Sequence, residues 1–237
     1  MEWRPYVPVA QRRAHAAREL ARLGKKAAPV RVEGRAIAKT FWGQAWCENL
    51  ERYSYYANRL PRGRTYVRNG SVVDLSIEPG AVRARVAGSE LYTVEIEIAK
   101  LAAPRWRAVK KACTGKIGSL VGLLRGQLSA DVLAVLARPG AGLFPEPGDL
   151  SMDCSCPDWA GMCKHVAATL YGVGARLDQR PELFFVLREV DQGELLSAAT
   201  VAPPTRGRSR AKQIAEDQLG AIFGIELDEP TPRRRRK

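Results

Sequence analysis

Between residues 65 and 98 apolar and polar positions alternate. Val73, Leu75 and Ile77, then Val82, Ala84 and Val86, then Val94, Ile96 and Ile98 recur at steps of two. That is the period of a strand with one buried face. Asn69-Gly70, Pro79-Gly80 and Gly88-Ser89 supply turn chemistry. The stretch predicts a four-stranded antiparallel meander whose polar face carries Arg83, Arg85, Glu95 and Glu97, charges that pair across strands.

On either side of the meander the period lengthens to three and four. Residues 10–23 predict a helix ended by Gly24, with His15 exposed on it. Residues 40–53 predict another, capped by Thr40, with Phe41, Trp42, Ala45, Trp46, Leu50 and Tyr53 as a core-facing stripe. Further helices are expected at 104–113, at 116–127, and at 129–138 with Ser129 as N-cap. Val166, Leu170, Val173 and Leu177 mark one more, and Pro181 opens a last helical segment, PELFFVLREV. Cys47 and Cys113 read as buried thiols. Residues 25–39 read as a basic linker or an arm that orders on a partner, and 139–149 as a turn-rich connector. Beyond about 200 the chain reads as a linker, a short helix at 210–224 and a basic end, PTPRRRRK.

Composition adds a partner class. The 237 residues are 46% hydrophobic, enough for a substantial core, and carry a net charge of +13. Residues 1–70 hold 15 Lys/Arg against 5 Asp/Glu, and residues 201–237 hold 9 against 5, so the excess sits at the ends. Basic ends around a neutral middle suit a polyanion, and nucleic acid is the expected partner. The densest basic cluster further in is Arg59-Leu-Pro-Arg62-Gly-Arg64, continuing to Arg68. Arg62, Arg64 and Arg68 are its candidate phosphate contacts, set against a solvated loop face. No run of eighteen apolar residues occurs, so no membrane partner is expected, and MEWRPYVPVAQRR lacks the apolar core of a signal peptide. Thr114-Gly115-Lys116 is not a phosphate loop, because Lys110 stands where Gly is needed and Ile117 where Ser or Thr is.

The most specific chemistry lies in Asp153–Tyr171, DCSCPDWAGMCKHVAATLY. It carries Cys154-x-Cys156, six intervening residues, then Cys163-x-His165. Three thiolates and one imidazole fit a tetrahedral Zn²⁺. In an extended segment Cys154 and Cys156 point the same way. Pro157, Asp158 and Gly161 turn the chain back, and Cys163 falls just before a helix start, where a thiolate is favoured. A disulfide within Cys-x-Cys is strained and the cysteine total is odd; a Cys–His nucleophile and base meet through the fold rather than as near neighbours. Buried core cysteines would give no reason for this spacing beside Asp, Pro, Gly and Lys. Four protein ligands leave no position for an activated water, so the expected metal is structural and no enzyme or small-molecule substrate is expected. Reduced, metal-spaced cysteines point to a cytoplasmic location.

CSCPDWAGMCKH followed by a helix resembles the SWIM zinc finger, and more specifically the bacterial SWIM proteins. The likeness takes in Asp158-Trp159, LDQRPELFFVLREV, and the upstream blocks FWGQAWCENLE and RGRTYVRNGSVVDLSIEPGAVRARVAGS, about residues 40 to 190. The resemblance implies that Cys154, Cys156, Cys163 and His165 are zinc ligands. It also implies binding to DNA or proteins and association with SNF-type helicase-like ATPases.

The resulting expectation is an α+β chain: a helix, an antiparallel β meander, helices, then a zinc-stapled ββα-like SWIM element. Residues 1–37 form a basic N-terminal arm, 38–149 the α+β body, 150–198 the SWIM finger and following helix, and 199–237 a basic, largely disordered tail. The expected function is nucleic-acid binding, DNA foremost, as accessory to a helicase-like ATPase. The alternative is a protein–protein adaptor with a structural zinc and no nucleic-acid contact.

Overall fold

The alternating stretch becomes three antiparallel strands, β1 (Val72–Glu78), β2 (Ala81–Ala87) and β3 (Leu91–Ile98). The computed structural model describes residues 7–200, and the side chains of 197–200 are not described. The expected short helix at 210–224 and the basic C-terminal end lie outside the described residues.

A fourth strand does join the sheet, but it is not part of the meander. Thr65–Arg68 belongs to a helix, and the sheet order β1-β2-β3-β4 is completed by β4 (Leu150–Cys154). β4 pairs antiparallel with β3, placing Cys154 opposite Val94. Asn69-Gly70 ends the helix rather than turning a hairpin, with Gly70 at φ 70°. Pro61 at the helix's start and Gly63, a point of close approach, allow this segment to coil. A second departure lies in β1. A bulge between Val72 and Asp74 moves Val72 to the main core with Leu75 and sends Val73 to the opposite face. The charged face is as expected, with Arg83 ion-paired to Glu78 and to Glu95.

The helices, with the strands, make the fold α+β. They are α1 (Val9–Leu23), α2 (Phe41–Glu51), α3 (Leu60–Arg68), α4 (Ala103–Cys113), α5 (Leu120–Arg125), α6 (Ala130–Ala137), α7 (Lys164–Gln179), α8 (Glu182–Leu187) and α9 (Gly193–Thr200). α7 is the central one. His165 to Ala175 are all buried, between the apolar face of the sheet and α2 and α3. Two close approaches permit this. A methyl at Gly43 of α2 would lie 2.6 Å from the Gly174 carbonyl, and one at Gly63 of α3 would lie 2.5 Å from the Ala167 Cβ. The aromatic stripe of α2 is core. Trp42 and Trp46 are buried against Phe184, and the Trp46 indole donates to the Leu170 carbonyl at 2.7 Å.

α1 packs on the other side of the sheet, where Ala16, Val73 and Ala87 form a second, small cluster. The stretch 27–32, whose composition suggested a linker, lies along the outer edge of β1. Val30 N–H donates to Val72 O at 3.0 Å and Leu75 N–H to Ala28 O at 3.0 Å. This covers an edge that would otherwise present unpaired backbone groups. Thr40 does stand at the N-cap of α2, but its hydroxyl donates to Asp178 of α7 at 2.7 Å instead of capping. The connector at 139–149 is tied down by buried Arg188, which donates to Asp149 at 3.3 Å.

Candidate metal centre

β4 ends at Cys154, and the sheet does not release the chain there. Ser155 N–H donates to Thr93 O at 3.0 Å, and Thr93 N–H donates back to the Ser155 hydroxyl at 3.0 Å. These bonds carry the pairing one residue past β4, and the chain bends over 155–157, with Cys156 kept beside Cys154 in the same ligand cluster. The chain then turns. Asp158 accepts from Ala160 N–H at 3.3 Å and is gripped by Arg59, just ahead of α3, at 3.1 Å. Met162 buries fully and anchors the return.

Cys163 is the N-cap of α7, its sulfur accepting from Val166 N–H at 3.4 Å. His165 lies in the first turn, buried. Its Nδ1 is 3.8 Å from Cys154 Sγ and 3.9 Å from Cys163 Sγ. Nδ1 and the three sulfurs all fall within 4.8 Å of one another. Ligands bound at zinc-like lengths and tetrahedral angles stand about 3.5–3.8 Å apart. The donor set and its spacing fit a four-coordinate metal ion, and Cys154, Cys156, Cys163 and His165 can hold one. All four predicted ligands are brought together by the structure.

The imidazole is fixed by aromatic rings. Tyr92 of β3 stacks on it at 4.3 Å between centroids, and Tyr66 of α3 meets it edge-on at 5.5 Å. Nε2 sits over Gly88, where a methyl would come within 2.9 Å of it. No described residue bonds Nε2. These three neighbours carried no signal in the sequence beyond Gly88 marking a turn.

The thiols are set against one another. A bond from Cys154 holds the Cys163 thiol well below the ordinary range, against the effect of burial and with help from His165 and the Val166 amide. The same bond drives Cys154 up, and burial raises Cys156. One thiolate forms readily among three crowded thiols, and a bound cation is what makes three thiolates compatible.

The basic residues named from the sequence are distributed around α3. Arg64 ion-pairs with Glu51, donates to the Tyr171 hydroxyl at 3.2 Å and lies 5.5 Å over that ring. Arg62 and Arg68 are exposed. Arg64 and Arg68 share one side of the helix and Arg62 lies on the other, so the three do not form one face. His15 is outside the ligand cluster, as expected, but it is half-buried and not exposed, because α1 packs on the sheet: its Nδ1 is 3.1 Å from the Gly88 carbonyl oxygen and its Nε2 3.5 Å from Glu19. No helix among the described residues is long and apolar enough to cross a membrane.

The chain is 35% identical over 206 residues to the uncharacterized protein Rv2102 of Mycobacterium tuberculosis, a match spanning 83% of this chain and 74% of the relative. The chain belongs to the family of that mycobacterial protein. Neither a family model nor a solved structure matches it. The match runs over most of the described fold, so the relationship is between whole domains, not between two short cysteine motifs.

Proposed function

We propose that this protein is a SWIM-type zinc module that binds nucleic acid, DNA foremost, with the metal in a structural role. One observation carries the reading. The loop closed by the four ligands holds its sulfurs and imidazole inward and presents Trp159, fully exposed, at its turn. An indole fully in water on a rigidly stapled loop is suited to stacking on a base, which is sequence-tolerant because every base has a π-face. Tyr55, 89% exposed, adds a second ring next to Tyr56, which itself lies near Gly161 of the same loop. The net charge of +13 favours a polyanion over an acidic or neutral partner.

Zinc is the metal proposed, since three soft thiolates and one imidazole in a tetrahedral set select it over harder cations. The module is non-catalytic in this reading, because the protein fills all four positions. Accessory action beside an SNF-type helicase-like ATPase is proposed on the resemblance of the sequence alone.

Fluorescence anisotropy of the zinc-loaded full chain on a labelled oligonucleotide, at three salt concentrations, tests the reading. Binding that weakens linearly in log K against log salt supports it. No binding at low salt overturns it and favours a protein adaptor. Trp159→Ala should then weaken single-strand binding by about 1–3 kcal/mol, the worth of one base–aromatic stack.

A further inference from the structure

Of the basic cluster that the sequence gathers on α3, only part is free to meet a ligand. Arg59 and Arg64 are spent on Asp158 and Glu51. Arg12 of α1, Arg62 of α3 and Lys164, the first residue of α7, form no ion pair among the described residues. These three line one cleft of about 280 Å³, completed by Thr65 and Tyr66. No carboxylate among the described residues lines it.

Three elements distant in sequence therefore deliver three cations to one place, and Tyr66 holds two of them there. The Arg12 guanidinium lies 5.2 Å over its ring and the Lys164 ammonium 5.9 Å. Arg12 Nε is buried with no hydrogen-bond partner among the described residues. A buried guanidinium N–H left unbonded is unfavourable unless a ligand satisfies it. The hydroxyl of Thr65 is not such a ligand, because it donates to the Pro61 carbonyl at 3.0 Å.

The cleft is also coupled to the metal centre. The ring of Tyr66 touches His165 edge-on, and Lys164 stands between Cys163 and His165 in the chain. Arg59, just ahead of α3, and Arg62 and Tyr66 of α3 follow one another at steps of three and four, on one side. The first reaches the metal loop through Asp158, the second lines the cleft, and the third forms its wall.

We infer that this cleft is a phosphate-binding site that seats a backbone phosphodiester of the bound nucleic acid. The inference rests on the nucleic-acid reading above and specifies where the backbone is held. An arginine pair supplies planar N–H donors to the phosphate oxygens, and the lysine supplies a point charge. Such a contact positions the strand without reading its sequence.

The test uses the full zinc-loaded chain, a labelled single strand and a duplex of the same sequence, with anisotropy at three salt concentrations. The cleft variant is Arg12→Gln with Arg62→Gln. The charge-matched control is Arg18→Gln with Arg107→Gln, two exposed arginines outside the cleft. Metal content and circular dichroism confirm that each variant is folded, and Arg62→Gln alone serves if the double variant is not. The cleft variant should bind at least tenfold more weakly at low salt than the control. Its slope of log K against log salt should flatten by about one, the loss of one phosphate contact, in every sequence tried. A cleft variant indistinguishable from the control, while the unaltered protein binds, overturns the cleft and leaves the nucleic-acid reading standing. Absence of binding by the unaltered protein overturns both.

Discussion

At its first turn α7 meets sulfur and imidazole; two turns further on, at Leu170 and Gly174, it meets indole rings and a solitary cysteine. Cys154, Cys156 and Cys163 lie in the first region and Cys47 in the second, and the thiols of Cys163 and Cys47 behave in opposite ways. Cys163, bonded by Cys154, has its thiol held well below the ordinary range. Cys47, packed near Gly174 on the α2 side, has its thiol pushed up to about 12 by burial and by Glu51. Cys113 is raised by burial as well. At Cys163 the bond from Cys154 and the N-cap amide favour the thiolate, at the cost of raised thiols at Cys154 and Cys156; at Cys47 burial and nearby carboxylates favour the neutral thiol. One helix thus carries a cluster that can hold a metal ion at its start and is held along its length by burial. Coordination is local and removable, while burial is distributed over Trp42, Trp46, Leu170, Phe184 and their neighbours.

That contrast breaks most sharply at the ligands. Cys156→Ser should lower zinc from about one per chain to near none, measured by metal analysis after chelator washing. Structural zinc contributes about 10–16 kcal/mol in isolated finger peptides, an upper bound here because α7 also packs on the sheet. Hydrogen exchange should show protection lost over residues 150–169 and kept in β1–β3 and α2. Equal loss in α2 would mean that the staple and the core are one cooperative unit.

Trp46→Ala is the converse. It removes a buried indole and its bond to the Leu170 carbonyl, at a cost of about 3–5 kcal/mol. The melting temperature should fall while zinc stoichiometry stays near one. Loss of metal in this variant would show that coordination depends on the core.

Two glycines sharpen the comparison on a smaller scale. A methyl at Gly88 would come within 2.9 Å of both His165 Nε2 and the Tyr92 ring, so Gly88→Ala should push the imidazole off its stack. Displacing such support costs about 10–100-fold in metal affinity, readable by competition with a chromophoric chelator. A methyl at Gly174 would come within 2.7 Å of Cys47 Sγ, so Gly174→Ala should lower stability by about 1–3 kcal/mol through overpacking and leave metal affinity unchanged.

The smallest effect is a pH dependence confined to the core side. Cys47 titrates at about 12 in the folded chain against an ordinary 9.0, so its contribution to stability is complete below pH 9 and is lost as pH rises toward 12. Denaturant unfolding should show stability declining through that window, and declining less in Cys47→Ala. Alkylation at pH 8 should spare Cys47 while the chain is folded. Rapid modification there would place the thiol in a more open environment than the fold gives it.

Much of this architecture is legible in local pattern. The alternation at 82–98 gave two strands, the α2 stripe gave core aromatics, and Ser129 caps α6 by accepting from Val132 N–H. The ligand set was legible because its geometry is short-range: an i, i+2 pair at a strand end, a turn, and a helix N-cap. The meander's first expected strand was not legible. Thr65–Arg68 has alternating bulk, but Pro61 in the first turn and Gly63 against Ala167 make it a helix. The bulge at Val73 was invisible too, because it exists to let one valine meet α1 while its neighbours meet α7.

The sequence by itself determined the ligands, the periods of the elements and the sign of the charge, since each is set by residues within a turn or two of one another. Tertiary structure alone decided that β4, and with it Cys154, joins β3 to complete the sheet. It likewise decided that Arg64 is consumed by Glu51 while Arg12, Arg62 and Lys164 converge on Tyr66. Pairing partners and free charges depend on which surfaces bury one another across long stretches of chain. That choice is made by the total burial of the fold, and no local spacing encodes it.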